Sequence, residues 1–75
     1  MGRGEILAKV KRSGKKRSEI NELINDYVIS AKYRKILRMK LLDGVTYDKV
    51  AEDIRPQMSS RQIKRIVSDF VDEHF

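Results

Sequence analysis

The chain is predicted to be all-α, a small helical bundle of about four helices that contains a helix-turn-helix. Three observations predict this class. Apolar residues recur at three- and four-residue spacing in successive segments from Ser18 to the C-terminus. Hydroxyl side chains stand where those segments begin, and Gly44 and Pro56 stand where they stop. The composition, 40% hydrophobic and 37% charged over 75 residues, fits one small globular domain with a large surface. Aromatics are few and Trp is absent, so the core is expected to be Ile, Leu, Val and Met.

Residues 1–17 are expected to form a flexible basic N-terminal arm, ahead of a helix-turn-helix domain at 18–75. The arm contains Gly2, Gly4 and Gly14 and the run KRSGKKR, and both glycine and like charge oppose packing. It carries seven basic residues against one acidic, whereas residues 18–75 carry ten of each, so the net charge of +6 lies entirely on the arm. An arm of this kind seeks a polyanion. Ile6, Leu7 and Val10 also have helical spacing, which allows a short amphipathic turn over Glu5–Lys11 that could dock on the core.

Ser18 reads as the N-cap of the first helix, about Glu19–Ser30, with Glu19 and Glu22 in the first turn. Ile20, Leu23, Ile24, Tyr27 and Val28 give it one buried face. The second helix, about Ala31–Leu42, has Tyr33, Ile36, Leu37 and Leu41 inward and Lys32, Arg34, Lys35, Arg38 and Lys40 on a basic face. It could run on from the first with a bend near Ser30. Tyr27 and Tyr33 are read as core or boundary packing. Asp43-Gly44 closes the second helix, with Gly44 suited to a left-handed cap.

Thr46 caps the third helix, whose inward positions are Tyr47, Val50, Ala51 and Ile54. Pro56 ends it, because the residue before a proline is driven from helical geometry. Ser59 or Ser60 caps the fourth helix, about 60–73, with Ile63, Ile66, Val67, Phe70 and Val71 inward. Its exposed positions are basic in the first half (Arg61, Lys64, Arg65) and acidic in the second (Asp69, Asp72, Glu73). That order opposes the helix dipole, which favours acid first and base last. A helix charged this way is suited to pressing its amino half on phosphates and base edges.

The stretch from Tyr33 to Phe70 resembles the promoter-reading domain of bacterial sigma factors and the related small phage late-gene activators of the ArpU and RinA type. The resemblance rests on Ile36-Leu37, Leu41, Gly44, Thr46, Val50-Ala51, Ile54, Ser59 and Ile63. It covers about half the chain. It implies that Ala51 packs where the two helices of the motif cross, and that Ser60, Arg61, Gln62, Lys64 and Arg65 face DNA. The chain departs from the pattern at its corner, where RPQM separates Ile54 from Ser59 without a glycine and looks about two residues longer than usual. The sigma region that binds the polymerase core is absent.

These readings lead to a sequence-specific DNA-binding protein, a transcriptional regulator of phage or mobile-element type. Arg61 and Gln62 are expected to read base edges, arginine favouring guanine and glutamine adenine. Lys64, Arg65 and the Lys32–Lys40 face, Lys32 and Lys35 among them, are expected to hold phosphates. Arg12, Lys15, Lys16 and Arg17 of the arm add affinity or enter the minor groove. The expected partners are double-stranded DNA and, since so small a domain buries little DNA surface, a homodimer partner or RNA polymerase. Val71 and Phe75, or Ile6, Leu7 and Val10, are the residues available for a dimer contact.

Two alternatives share the scaffold. One is a protein-interaction adaptor or inhibitor; the other is the DNA-recognition subunit of a packaging or recombination complex. No enzyme is expected: there is no Gly-rich phosphate loop and no nucleophile–base pair. No cofactor or metal is expected either, since Cys is absent and the single His, His74, reads as a solvated tail residue. No apolar run spans a membrane and no signal-peptide core follows Met1, which predicts a soluble, cytoplasmic protein without a membrane or small-molecule partner.

Overall fold

Five α-helices account for the fold in the computed structural model, which describes residues 3–75 and has no strand among them. They are α1 (Arg3–Arg12), α2 (Arg17–Tyr27), α3 (Ala31–Leu41), α4 (Tyr47–Asp53) and α5 (Ser60–His74). The chain is therefore an all-α bundle, with one helix more than the sequence predicted. α5 is the hub and packs against α1, α3 and α4; α3 in turn holds α2 and α4. The core is aliphatic: Ile20, Ile24, Ile36, Leu37, Val50, Ile54, Ile63, Val67 and Val71 are all buried.

The extra helix lies within residues 1–17, over the stretch where Ile6 and Val10 allowed an amphipathic turn. α1 lies against α5, and Ile6 is only 2% exposed within the shared core. Burying an isoleucine is worth about 1.5–3 kcal/mol, enough to offset part of the ordering cost of a short basic helix. Val10 packs beside it, and Lys9 Nζ reaches Asp72 Oδ1 at 3.2 Å across the α1–α5 contact. Ile6 and Val71 are thus spent inside the fold and are not free for a dimer contact. The side chain of Leu7 lies outside the described residues. Gly14, at φ +70°, turns the chain from α1 into α2.

Helix ends follow local chemistry, with one shift. α2 starts at Arg17, not after Ser18, because Glu19 reaches back to accept from the Lys16 backbone N–H at 3.4 Å. Ser18 sits exposed in the first turn. Arg17 donates to the Leu42 carbonyl and pairs with Asp43 at 3.5 Å, which ties the start of α2 to the end of α3. α2 stops at Tyr27, and Val28–Ser30 form a non-helical link, so α2 and α3 are separate helices. The Ser30 side chain caps α3 by accepting from Tyr33 N–H.

α3 closes as expected at Gly44, whose φ is +68°. The Asp43 N–H donates to the Arg38 carbonyl at 3.2 Å and the Val45 N–H to the Met39 carbonyl at 3.0 Å, so the left-handed turn satisfies carbonyls of the last turn of α3. Thr46 caps α4 through the Lys49 N–H at 3.3 Å, and Ser59 caps α5 through the Gln62 N–H at 3.2 Å. Between them α4 ends at Asp53, and the corner 54–59 carries a cis Arg55–Pro56 bond. α4 and α5, joined by this corner, make the helix-turn-helix pair. No helix among the described residues is long and apolar enough to cross a membrane.

Candidate nucleic-acid interface

The interface begins with the spacing on α5. Ile63, Val67, Phe70 and Val71 take the buried side. Arg61 and Arg65, four residues apart, therefore share the solvent side, and Asp69 and Asp72 continue the same row. Lys64 sits half-buried at the edge nearest α4. Thr46, Tyr47, Asp48, Ser60, Arg61 and Lys64 line a shallow groove of about 410 Å³ between the amino ends of α4 and α5. Ser60, Arg61 and Lys64 thus meet at one place, with Arg65 one turn further along. Asp48 is the one acidic side chain of that lining.

What separates these cations from the arginines of α2, α3 and the corner is engagement. Arg17 and Arg55 donate to backbone carbonyls, Leu42 for the first and Glu52 and Ile54 for the second. Arg34 donates to the carbonyls of Val28 and Asn25. Arg38 donates to the side-chain oxygens of Asn21, at 3.0 Å, and Asn25. Arg61, Lys64 and Arg65 hold no hydrogen bond or ion pair among the described residues. Arginine fixed by backbone carbonyls positions helices; arginine left exposed on a helix face is available to a bidentate acceptor.

The basic face expected on α3 divides along the same line. Arg34 and Arg38 fasten α2 to α3. Lys40 is buried, at 6% exposure, with its ammonium 4.2 Å from the Tyr47 ring centroid, a desolvated cation–π contact between α3 and α4. It is a core residue, not part of a phosphate-binding face. Only Lys32 and Lys35 remain without a partner among the described residues.

The cations of residues 9–17 lie elsewhere. Lys9 meets Asp72, and Lys15 Nζ stands 6.0 Å from the Phe75 ring, so this segment runs along the carboxyl end of α5. Arg61 is about 20 Å from that end at 1.5 Å per helical residue. Lys15 and Arg17 are engaged; Arg12 and Lys16 are exposed and without partners among the described residues. Lys9 and Lys15 are therefore set at the far end of α5 from Arg61, whereas Arg17 is held at the end of α3.

Gln62 has a local task beyond the base reading expected of it. Its Oε1 accepts from the Ser59 N–H at 3.1 Å while Ser59 Oγ accepts from the Gln62 N–H, the two halves of a capping box. Bidentate reading of adenine needs both the oxygen and the NH₂ of the amide, so it competes with this cap. The signal was present as Ser-x-x-Gln at 59–62.

His74 departs from expectation, and the tyrosines lie at the boundary of the core. His74 is no solvated tail residue: its ring centroid lies 4.5 Å from Tyr27 and 4.6 Å from Phe70. Tyr27 and Tyr33 are 64% and 41% exposed, so neither is core. Among the described residues no cluster of three or more His, Cys, Asp or Glu could hold a metal ion. Comparison of the chain with protein-family models, with curated proteins and with solved structures gives no match.

Proposed function

We propose that the chain binds double-stranded DNA in a sequence-dependent way, with the amino half of α5 in the major groove and α4 crossing the backbone beside it. The reading is that of a transcriptional regulator of phage or mobile-element type. The observation that carries it is the set of exposed Arg61 and Arg65 with half-buried Lys64, without partners among the described residues, at the amino half of the second helix of a helix-turn-helix. No hydrogen bond or ion pair among the described residues uses these side chains, and their charge runs against the dipole of their own helix. Arg61 is the base reader, and Lys64 and Arg65 hold phosphates. Gln62 serves the cap first, which leaves Arg61 as the main source of specificity.

The test is selection from a random duplex pool at two salt concentrations, with sequencing of the retained DNA. An enriched motif that loses one base position in Arg61→Ala is the expected result. Salt-sensitive retention without enrichment would reduce the reading to non-specific DNA contact, and no retention at low salt would end it.

A further inference from the structure

Further along α5 from Arg61, the α2–α3 link and the carboxyl half of the helix enclose an open groove of about 510 Å³. Its walls are apolar and aromatic: Val28, Leu37, Ile66, Phe70 and the rings of Tyr27 and Tyr33. Ile29 stands at its mouth on the link, 93% exposed. The tyrosines and Ile29 are the exposed large hydrophobics among the described residues, and all three belong to this groove. A β-branched apolar side chain left bare on a loop beside an aromatic wall has no role in the folding of this chain. Clustered exposed apolar surface of this kind marks an interaction site.

The rim sets the kind of partner. Asp69, Asp72 and Glu73 line the same groove. Asp72 is held by Lys9, and Glu73 lies beside His74, but Asp69 has no partner among the described residues. Carboxylates along one wall repel phosphate, so this face does not suit nucleic acid. A second copy of the chain fits poorly too. It could offer exposed apolar side chains only through this same face, which would set two acidic walls in one interface.

We propose that this groove docks a cationic amphipathic segment of a different protein, its apolar side chains on Tyr27, Ile29 and Tyr33 and its lysines or arginines on Asp69 and Glu73. The mode is an amphipathic segment laid in a groove. It leaves Arg61 and Arg65 free, so DNA and the partner bind different halves of one helix. The proposal stands whether or not the DNA reading does, because it rests on different residues.

The test uses the isotope-labelled full chain and two synthetic amphipathic peptides, one of leucine and lysine and its twin of leucine and glutamate. Backbone amide shifts are followed during titration. The lysine peptide is expected to shift residues 27–33 and 66–74 in a saturable way, and the glutamate peptide is not. Asp69→Lys with Glu73→Lys, both on the rim, is expected to weaken the lysine peptide by about tenfold and to admit the glutamate peptide. Ile29→Ser is expected to weaken lysine-peptide binding without lowering the melting temperature. Equal binding of both peptides, or shifts that map elsewhere, would overturn the proposal. So would sedimentation showing a dimer of the chain that Ile29→Ser dissolves, since the face would then belong to a second copy.

Discussion

Two cationic regions of this chain invite comparison: residues 9–17 and the amino half of α5. By count, the first dominates, since residues 1–17 hold the whole net charge of +6. By engagement, the two draw level, since Lys11, Arg12 and Lys16 are without partners among the described residues, as many as on α5. Lys9, Lys15 and Arg17 reach Asp72, the Phe75 ring and the Asp43–Leu42 turn. Arg61, Lys64 and Arg65 reach nothing among the described residues. A cation bound to its own fold is partly neutralised and fixed in place, whereas an exposed one keeps its field for a partner. Net charge along a sequence therefore locates a reservoir of positive charge, but not the surface that uses it.

The largest test of this comparison concerns whether residues 1–17 belong to the fold at all. Ile6→Ala removes a core side chain and is expected to cost about 2 kcal/mol, the low end of the range for such truncations because α1 is a terminal element. Chemical denaturation would measure it. A midpoint equal to wild type would return α1 to the status of a detachable arm and undo the contrast drawn above.

Next comes the contrast in binding. Arg61→Ala is expected to weaken specific DNA binding by about 1–3 kcal/mol and to relax one base position. The double change Arg12→Ala with Lys16→Ala is expected to leave the preferred sequence unchanged and to act only through the salt dependence. The log–log slope would flatten by about one unit for each phosphate these cations neutralise in the wild type. Competition binding over a salt series separates the two. If the second variant altered the base preference, the separation of the two regions by the length of α5 would have no functional meaning.

The parts of the fold that sequence disclosed were those fixed within a few residues. Thr46 and Ser59 as caps, Gly44 at positive φ, and the buried stripe of α5 all follow from local rules and appear where they were read. What stayed hidden depends on residues far apart in the chain. Glycine and like charge argue against α1, and only the α5 surface under Ile6 outweighs them. Lys40 has the spacing of a solvated lysine, and only Tyr47, brought over by the Gly44 turn, makes it a core residue. The exposure of Ile29 was equally illegible, because an isoleucine between two helices is ordinarily buried by one of them. Of the proposed DNA-facing set, position on the outer face was legible from periodicity, but the tie between Gln62 and Ser59 needed the geometry of the cap.

That tie gives a smaller test. Gln62→Ala removes one half of the capping box and is expected to lower stability by about 0.5–1 kcal/mol. The preferred DNA sequence is expected to stay the same, since the Gln62 oxygen is engaged at the helix start. Loss of preference at an adenine position would show that the cap opens on binding and that Gln62 reads a base after all.

The smallest effect is expected at the Lys9–Asp72 pair, which joins the two regions directly. Its side chains are 37% and 51% exposed, so solvent and salt screen it. A double-mutant cycle with Lys9→Met and Asp72→Asn is expected to give a coupling of about 0.2–1 kcal/mol that shrinks in high salt. The pair matters more for position than for energy. It sets α1 along the carboxyl end of α5 and so keeps the basic segment away from Arg61. Breaking it is therefore expected to leave Arg61-dependent base preference intact while loosening α1, as hydrogen exchange at residues 6–12 would report. Unchanged exchange in Lys9→Met would mean that Ile6 alone holds α1 in place, and that the ion pair only decorates a contact made by the core.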